Sequence, residues 1–276
     1  MNLRKARVVL RLRSLTDILD LALRVAVENG RTYRKLGFAL LVPAFAACLA
    51  LRYLADWTWW AIWPTAIALA TLAQGAFTVA TGQLLFDDAA PARTLLARFA
   101  KNLPRYFFAL LLTRCVPLAL LFTTSLTHVN PVAALFLLLS GLLLVRWAFV
   151  HEAVLLEGAG AGEAARRSSR ILKRHGGAVM GLLFWSLGAQ LAFVLGAELI
   201  GQGVVEYVFQ LGQPFGALFS DGGSLFALGG LFLSVPYLAT ARFLQYIDLR
   251  TRKEGWDIQL KFTAIQAEAQ SRRMAA

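Results

Sequence analysis

The sequence predicts an all-α polytopic membrane protein. Six transmembrane helices form three hairpins, each preceded by an amphipathic elbow helix on the cytoplasmic face. Three observations carry this prediction. Long apolar runs recur near 36–55, 59–85, 105–126, 132–151, 177–200 and 225–244, and a helix of ~20 residues rises ~30 Å, the hydrocarbon thickness of a bilayer. The basic residues are one-sided. If all six runs span, residues 1–35, 86–105, 152–176 and 242–276 share a face and hold 25 of the 28 Lys and Arg. Finally, the segments that precede the hairpins keep register, with 73 residues from Asn29 to Asn102 and 73 from Asn102 to His175.

Composition points the same way. With 58% apolar and 16% charged residues in 276, and a mean hydropathy of +0.60, the chain falls in the membrane class. Cytoplasmic loops are enriched in Lys and Arg, so both termini are expected inside. The formal charge of +12 is divided among four short segments. Attraction to anionic headgroups, ~1 kcal/mol per basic residue near the surface, accounts for it. Membrane lipids are therefore the expected partners at the cytoplasmic face, and nucleic acid is not. The first apolar run begins only at Leu36, behind a basic stretch longer than a usual n-region, so no cleavable signal peptide is expected. Cys48 and Cys115 fall inside predicted spans, where a thiol packs as a small apolar group.

The elements follow in order. Residues 1–35 form a basic N-terminus and the first elbow. There Ile18, Leu21, Ala22, Val25 and Ala26 recur at helical spacing, Ser14 or Thr16 offers an N-cap, and Gly30 offers a stop. The membrane domain occupies 36–244, with further elbows near 91–104, entered through Pro91, and 161–175. In the common register Leu23, Leu96 and Ser169 align, as do Ala26, Phe99 and Leu172. The repeats run parallel, unlike the inverted repeats of many alternating-access transporters. Residues 201–224, rich in Gly with apolar residues between, read as an interfacial loop on the outer side. Residues 245–276 form a charged cytoplasmic tail.

An ionisable residue inside a span costs ~2.5–3.5 kcal/mol on insertion scales and needs a partner or a purpose. Arg114 and Arg146 lie within spans three and four, which form one hairpin, so their guanidinia are expected at similar depth. Glu152, Glu157, Asp87 and Asp88 are the candidate counter-charges, and Arg114, Arg146, Glu152 and Glu157 make a candidate intramembrane charge network. Glu198 and Glu206 read as interfacial carboxylates. In the tail, Asp248 and Arg252, like Arg250 and Glu254, are four apart and share a helix face. These forks are candidates to clamp the elbow helices, with Asp20, Arg167 and Asp257 completing the cytoplasmic-face set. No spacing of His, Cys or carboxylates indicates a metal site, no cofactor is implied, and no catalytic constellation is visible.

Three places resemble the glycerophosphoryl diester phosphodiesterase membrane-domain family of six-span bacterial proteins. They are Ile18-Leu19-Asp20-Leu21-Ala22-Leu23, then Leu155-Leu156-Glu157-Gly158 with Glu163-Ala164 and Arg167-Ser168-Ser169-Arg170, and finally Tyr246-x-Asp248-x-Arg250-x-Arg252-x-Glu254-Gly255-x-Asp257. The third is the most specific. The resemblance implies a helical bundle in a bacterial inner membrane, without the separate soluble barrel in which the family's hydrolysis resides. The expected function is accordingly non-enzymatic: a scaffold or accessory subunit in contact with another membrane protein. The alternative is a carrier of lipid or anionic solute.

Overall fold

The computed structural model describes residues 14–85, 91–126, 131–212 and 214–254, and among these the regular structure is helical. The first helix, α1 (Leu15–Glu28), opens with a capping box: Ser14 Oγ accepts from Asp17 N and Asp17 Oδ2 accepts from Ser14 N, both at 3.2 Å. Its buried face of Ile18, Leu19, Ala22 and Val25 packs with Phe243 and Leu244. Asn29 leaves helical geometry (φ −96°, ψ 20°) and its side-chain amide donates to Val25 O at 2.9 Å. The break therefore falls on Asn29, while Gly30 begins the next helix.

That helix is α2 (Gly30–Tyr53), followed by α3 (Trp59–Leu84), α4 (Ala92–Leu126), α5 (Pro131–Arg146), α6 (Val150–Glu157), α7 (Ala161–Gly203), the short α8 (Leu218–Asp221) and α9 (Leu225–Glu254). Among the described residues, five stretches are long and apolar enough to cross a membrane: Gly30–Tyr53, Trp59–Leu84, Leu138–Glu157, His175–Val208 and Leu225–Arg250. The remaining apolar run, 105–126, belongs to α4, where side chains beyond Cys115 lie outside the described residues. On α7, Phe184, Leu187, Leu191, Leu195 and Leu199 form an exposed stripe several turns long. A soluble protein rarely leaves so continuous an apolar face in water, and the chain is a multi-pass membrane protein.

Two features depart from the sequence reading. The predicted span 132–151 is interrupted at 147–149 and resumes as α6, so the helical path continues to Glu157. Ser168 of α7 repairs the interruption: its hydroxyl donates to Arg146 O at 2.8 Å and accepts from Phe149 N at 3.1 Å. Buried backbone groups freed by such a break need partners of this kind. The second elbow is not a separate helix, because α4 runs unbroken through Asn102. Leu95, Phe99, Tyr106, Ala109, Leu110 and Thr113 make one buried stripe across the expected joint, and that stripe keeps the helix in line. Residues 161–175, expected as a third elbow, form the first part of α7, and the backbone breaks at His175 (φ −130°, ψ 36°).

The core is organised around α9, which lies against α7, α3, α1 and α2. Tyr33 of α2 bonds Thr81 of α3 at 2.8 Å and Thr240 of α9 at 2.9 Å, a polar knot within an apolar interior. Small residues let the helices approach. At Gly230 a Cβ would lie 2.8 Å from Val194 Cα and would run into the Phe193 carbonyl of α7. Because that neighbour is backbone, Gly230→Ala is expected to cost ~1–3 kcal/mol, the usual range for overpacking. Gly229→Ala, whose Cβ would meet only Phe45 at 3.9 Å, should leave the unfolding midpoint in detergent unchanged.

Candidate functional site: two layers of buried charge

The first layer lies between α3, α4, α6 and α9. Arg114 Nη2 is 3.1 Å from His151 Nε2, and His151 Nδ1 is 2.7 Å from Tyr106 Oη, which reaches Thr71 O at 2.9 Å. The proton order follows from chemistry. Arginine has no acceptor, so Nε2 accepts and the neutral imidazole carries its hydrogen on Nδ1. Nδ1–H then donates to Tyr106, whose hydroxyl donates to the Thr71 carbonyl. Next to His151, the fully buried Glu152 accepts from Arg242 Nε at 3.4 Å, and Arg242 also donates to Ala148 O. Glu152 Oε2 has no partner among the described residues.

The second layer is centred on Glu157, at the end of α6. Oε1 accepts from the Tyr246 hydroxyl and from Arg250 Nη1, both on α9, while Oε2 faces Arg167 Nη1 of α7. Arg167 also donates to Glu163 Oε1, from Nε at 3.1 Å and from Nη2 at 2.6 Å. Gly158, with φ +63°, ends α6 in the left-handed conformation that glycine adopts without strain. Its carbonyl accepts from Arg105 Nη1 of α4 at 2.5 Å. The Glu157-Gly158 dipeptide thus joins four helices.

The residues singled out in the sequence whose side chains are described each have a definite place. Arg114 and Arg146 are not brought to a common partner: Arg114 meets His151, whereas Arg146 is exposed at the end of α5 and donates to Ser169 Oγ at 3.0 Å. Glu152 is joined to Arg242, and Glu157 to Arg167 and Arg250. Asp20 is exposed and pairs within its own helix with Arg24 at 3.1 Å. Asp248 is buried on α9. The side chains of Arg252 and Glu254, and Asp87, Asp88 and Asp257 altogether, lie outside the described residues. Sequence reasoning overlooked Tyr106, His151 and Arg242, and it read Tyr246 only as part of the closing motif, not as a partner of Glu157. A signal existed for Arg242, because Arg242, Tyr246 and Arg250 recur every four residues on one face of α9.

At the opposite end of the bundle, residues 201–212 and 214–224 fold back as a cap. The buried Glu198 accepts from Leu218 N at 2.8 Å, from Ser224 Oγ and from Gln202 Nε2. Trp63 Nε1 donates to Gly222 O at 2.8 Å. Glu198 is therefore an internal clamp for this cap. Glu198→Ala is expected to lower stability by ~1–3 kcal/mol per buried donor left unsatisfied, and limited proteolysis within 201–224 should read the loosening directly. Among the described residues, no group of three or more His, Cys, Asp or Glu is placed to hold a metal ion. Compared with known proteins, the chain matches no family model, no curated protein and no solved structure.

Proposed function

We propose that this chain is a non-enzymatic scaffold or accessory subunit of an inner-membrane complex, crossing the bilayer six times with both termini in the cytoplasm. The observation that supports it best is the Glu157 node. Its two carboxylate oxygens already receive a phenol and two guanidinia, a use of charge that locks helices together instead of holding a reactive group ready. The orientation is supported by the 25 basic residues of the segments placed on one face. The elbow reading is supported by breaks at Asn29 and His175, two of the three positions in the 73-residue register. The likeness to the phosphodiesterase membrane-domain family gains a physical rationale, since Glu157, Arg167, Tyr246 and Arg250 come from two of the similar segments and meet at one point.

Native mass spectrometry of the protein extracted with its membrane in polymer nanodiscs tests this reading. A second protein at fixed stoichiometry is expected. A small anion or lipid cargo with no protein partner would replace the scaffold by the carrier. One observation favours that rival: Arg242 pairs with Glu152 while Arg114 rests on the adjacent His151, an arrangement with one cation in excess. A folded Arg114→Gln variant that loses a bound anion would support the carrier, and one that keeps its protein partner would support the scaffold.

A further inference from the structure

We propose that the groove between α2 and α9 is a binding site for one anionic phospholipid, with its phosphate on Arg31, Arg34 and Lys35 and an acyl chain along Phe38, Val42 and Phe45. The proposal rests on the membrane-embedded reading above and adds a specific site to it.

The groove has a volume of about 570 Å³, within the ~300–1,000 Å³ of small-ligand sites. Its lining is almost wholly apolar, and the exception is Arg34 at the end nearest α1. Glycines form its floor. A Cβ at Gly37 would meet only Leu41 at 3.8 Å, one at Gly229 only Phe45 at 3.9 Å, and one at Gly30 nothing within 4 Å. The concavity is thus open space beside the backbone. The walls stand outward, with Phe38 72% and Leu233 69% exposed.

Charge identifies the occupant. Arg31, Arg34 and Lys35 are three and four residues apart, so they share one face of α2, and all three are exposed. The same stripe continues through Phe38, Val42 and Phe45. None of the three cations makes an ion pair among the described residues. A ligand with an anionic head and an apolar tail matches this sequence of surfaces from end to end. A bare anion would leave the groove empty, and an apolar helix would leave the cations unmatched.

The test uses the full chain in nanodiscs of phosphatidylglycerol and phosphatidylcholine in equal parts with identical acyl chains. Lipids retained after detergent exchange are counted by native mass spectrometry. Preferential retention of phosphatidylglycerol is expected. Each neutralisation in an Arg31→Gln, Arg34→Gln, Lys35→Gln series should reduce the preference about fivefold. Gly37→Leu with Gly229→Leu should abolish retention, whereas Gly141→Leu, on the exposed face of α5 with open space around it, should not. Equal retention of both lipids, or retention unaffected by the filled groove, overturns the site. So does a protein segment crosslinked there in place of lipid. If the leucine pair lowers the unfolding midpoint, the glutamine series at exposed positions still decides. Resistance to alkaline carbonate extraction is scored first. Failure there removes the membrane reading itself, whereas a membrane-integral protein without lipid preference removes only the groove.

Discussion

Glu157→Gln is expected to destabilise the protein by about 3 kcal/mol, because one carboxylate neutralises cations from two helices and accepts a phenol from one of them. Breaking a buried ion pair costs ~3–5 kcal/mol. The low end applies here, since Arg167 and Arg250 keep 33% and 21% of their side-chain surface in contact with solvent. The loss is shared unequally. Arg167 retains Glu163 at 2.6 Å, and Arg250 is the less exposed of the two guanidinia, so its pair with Glu157 is the less screened. Double-mutant cycles separate the two: coupling between Glu157 and Arg250 should exceed that between Glu157 and Arg167. Thermal unfolding in detergent reads both. A total loss below ~1 kcal/mol would reduce the node to an ordinary surface pair and remove the main support for a locked scaffold.

How far the sequence carried this picture depends on whether a feature is local. The apolar runs are local, and five of them became helices of spanning length. The first helix was legible for the same reason: Ser14 and Asp17 are neighbours, and the capping box needs nothing from the rest of the chain. The interruption at 147–149 was not legible. Trp147, Ala148 and Phe149 contain no glycine or proline, and the break is sustained by Ser168, which arrives on another helix. The continuity of α4 escaped notice because a basic, polar stretch around Lys101 and Asn102 looks like a joint. Buried neighbours on one face, Phe99 and Tyr106, hold it straight.

The charge network shows the same limit more sharply. Arg114 and Arg146 lie on the neighbouring helices α4 and α5, yet neighbouring helices need not present the same faces to each other. Arg114 found a neutral base, His151, and the counter-charge of Glu152 came from Arg242, 90 residues downstream. The one periodic clue, a basic or phenolic group every fourth residue from Arg242 to Arg250, was masked by the more conspicuous charges of the tail that follows it.

Arg242→Met tests whether the first layer is architecture or binding site, and its expected effect is as large as that of Glu157→Gln. It leaves Glu152, with no exposed surface, facing an apolar side chain, at a cost of ~3–5 kcal/mol. Restoring balance by also making Glu152→Met should recover most of that loss, because a buried ion pair replaced by apolar side chains of similar volume is commonly neutral or stabilising by ~1–4 kcal/mol. The double variant then separates stability from function, which neither single variant does. Recovered stability with the protein partner still bound in the nanodisc experiment is the result the scaffold requires, because its complex would be made elsewhere on the surface. Recovered stability with loss of a bound anion would mean that Arg242 and Arg114 hold that anion between them, with Glu152 moderating a site built to attract it. Failure to recover would tie Arg242 to the Ala148 carbonyl it also serves. In that case the guanidinium is needed less for its charge than for completing the backbone where α5 breaks and α6 begins.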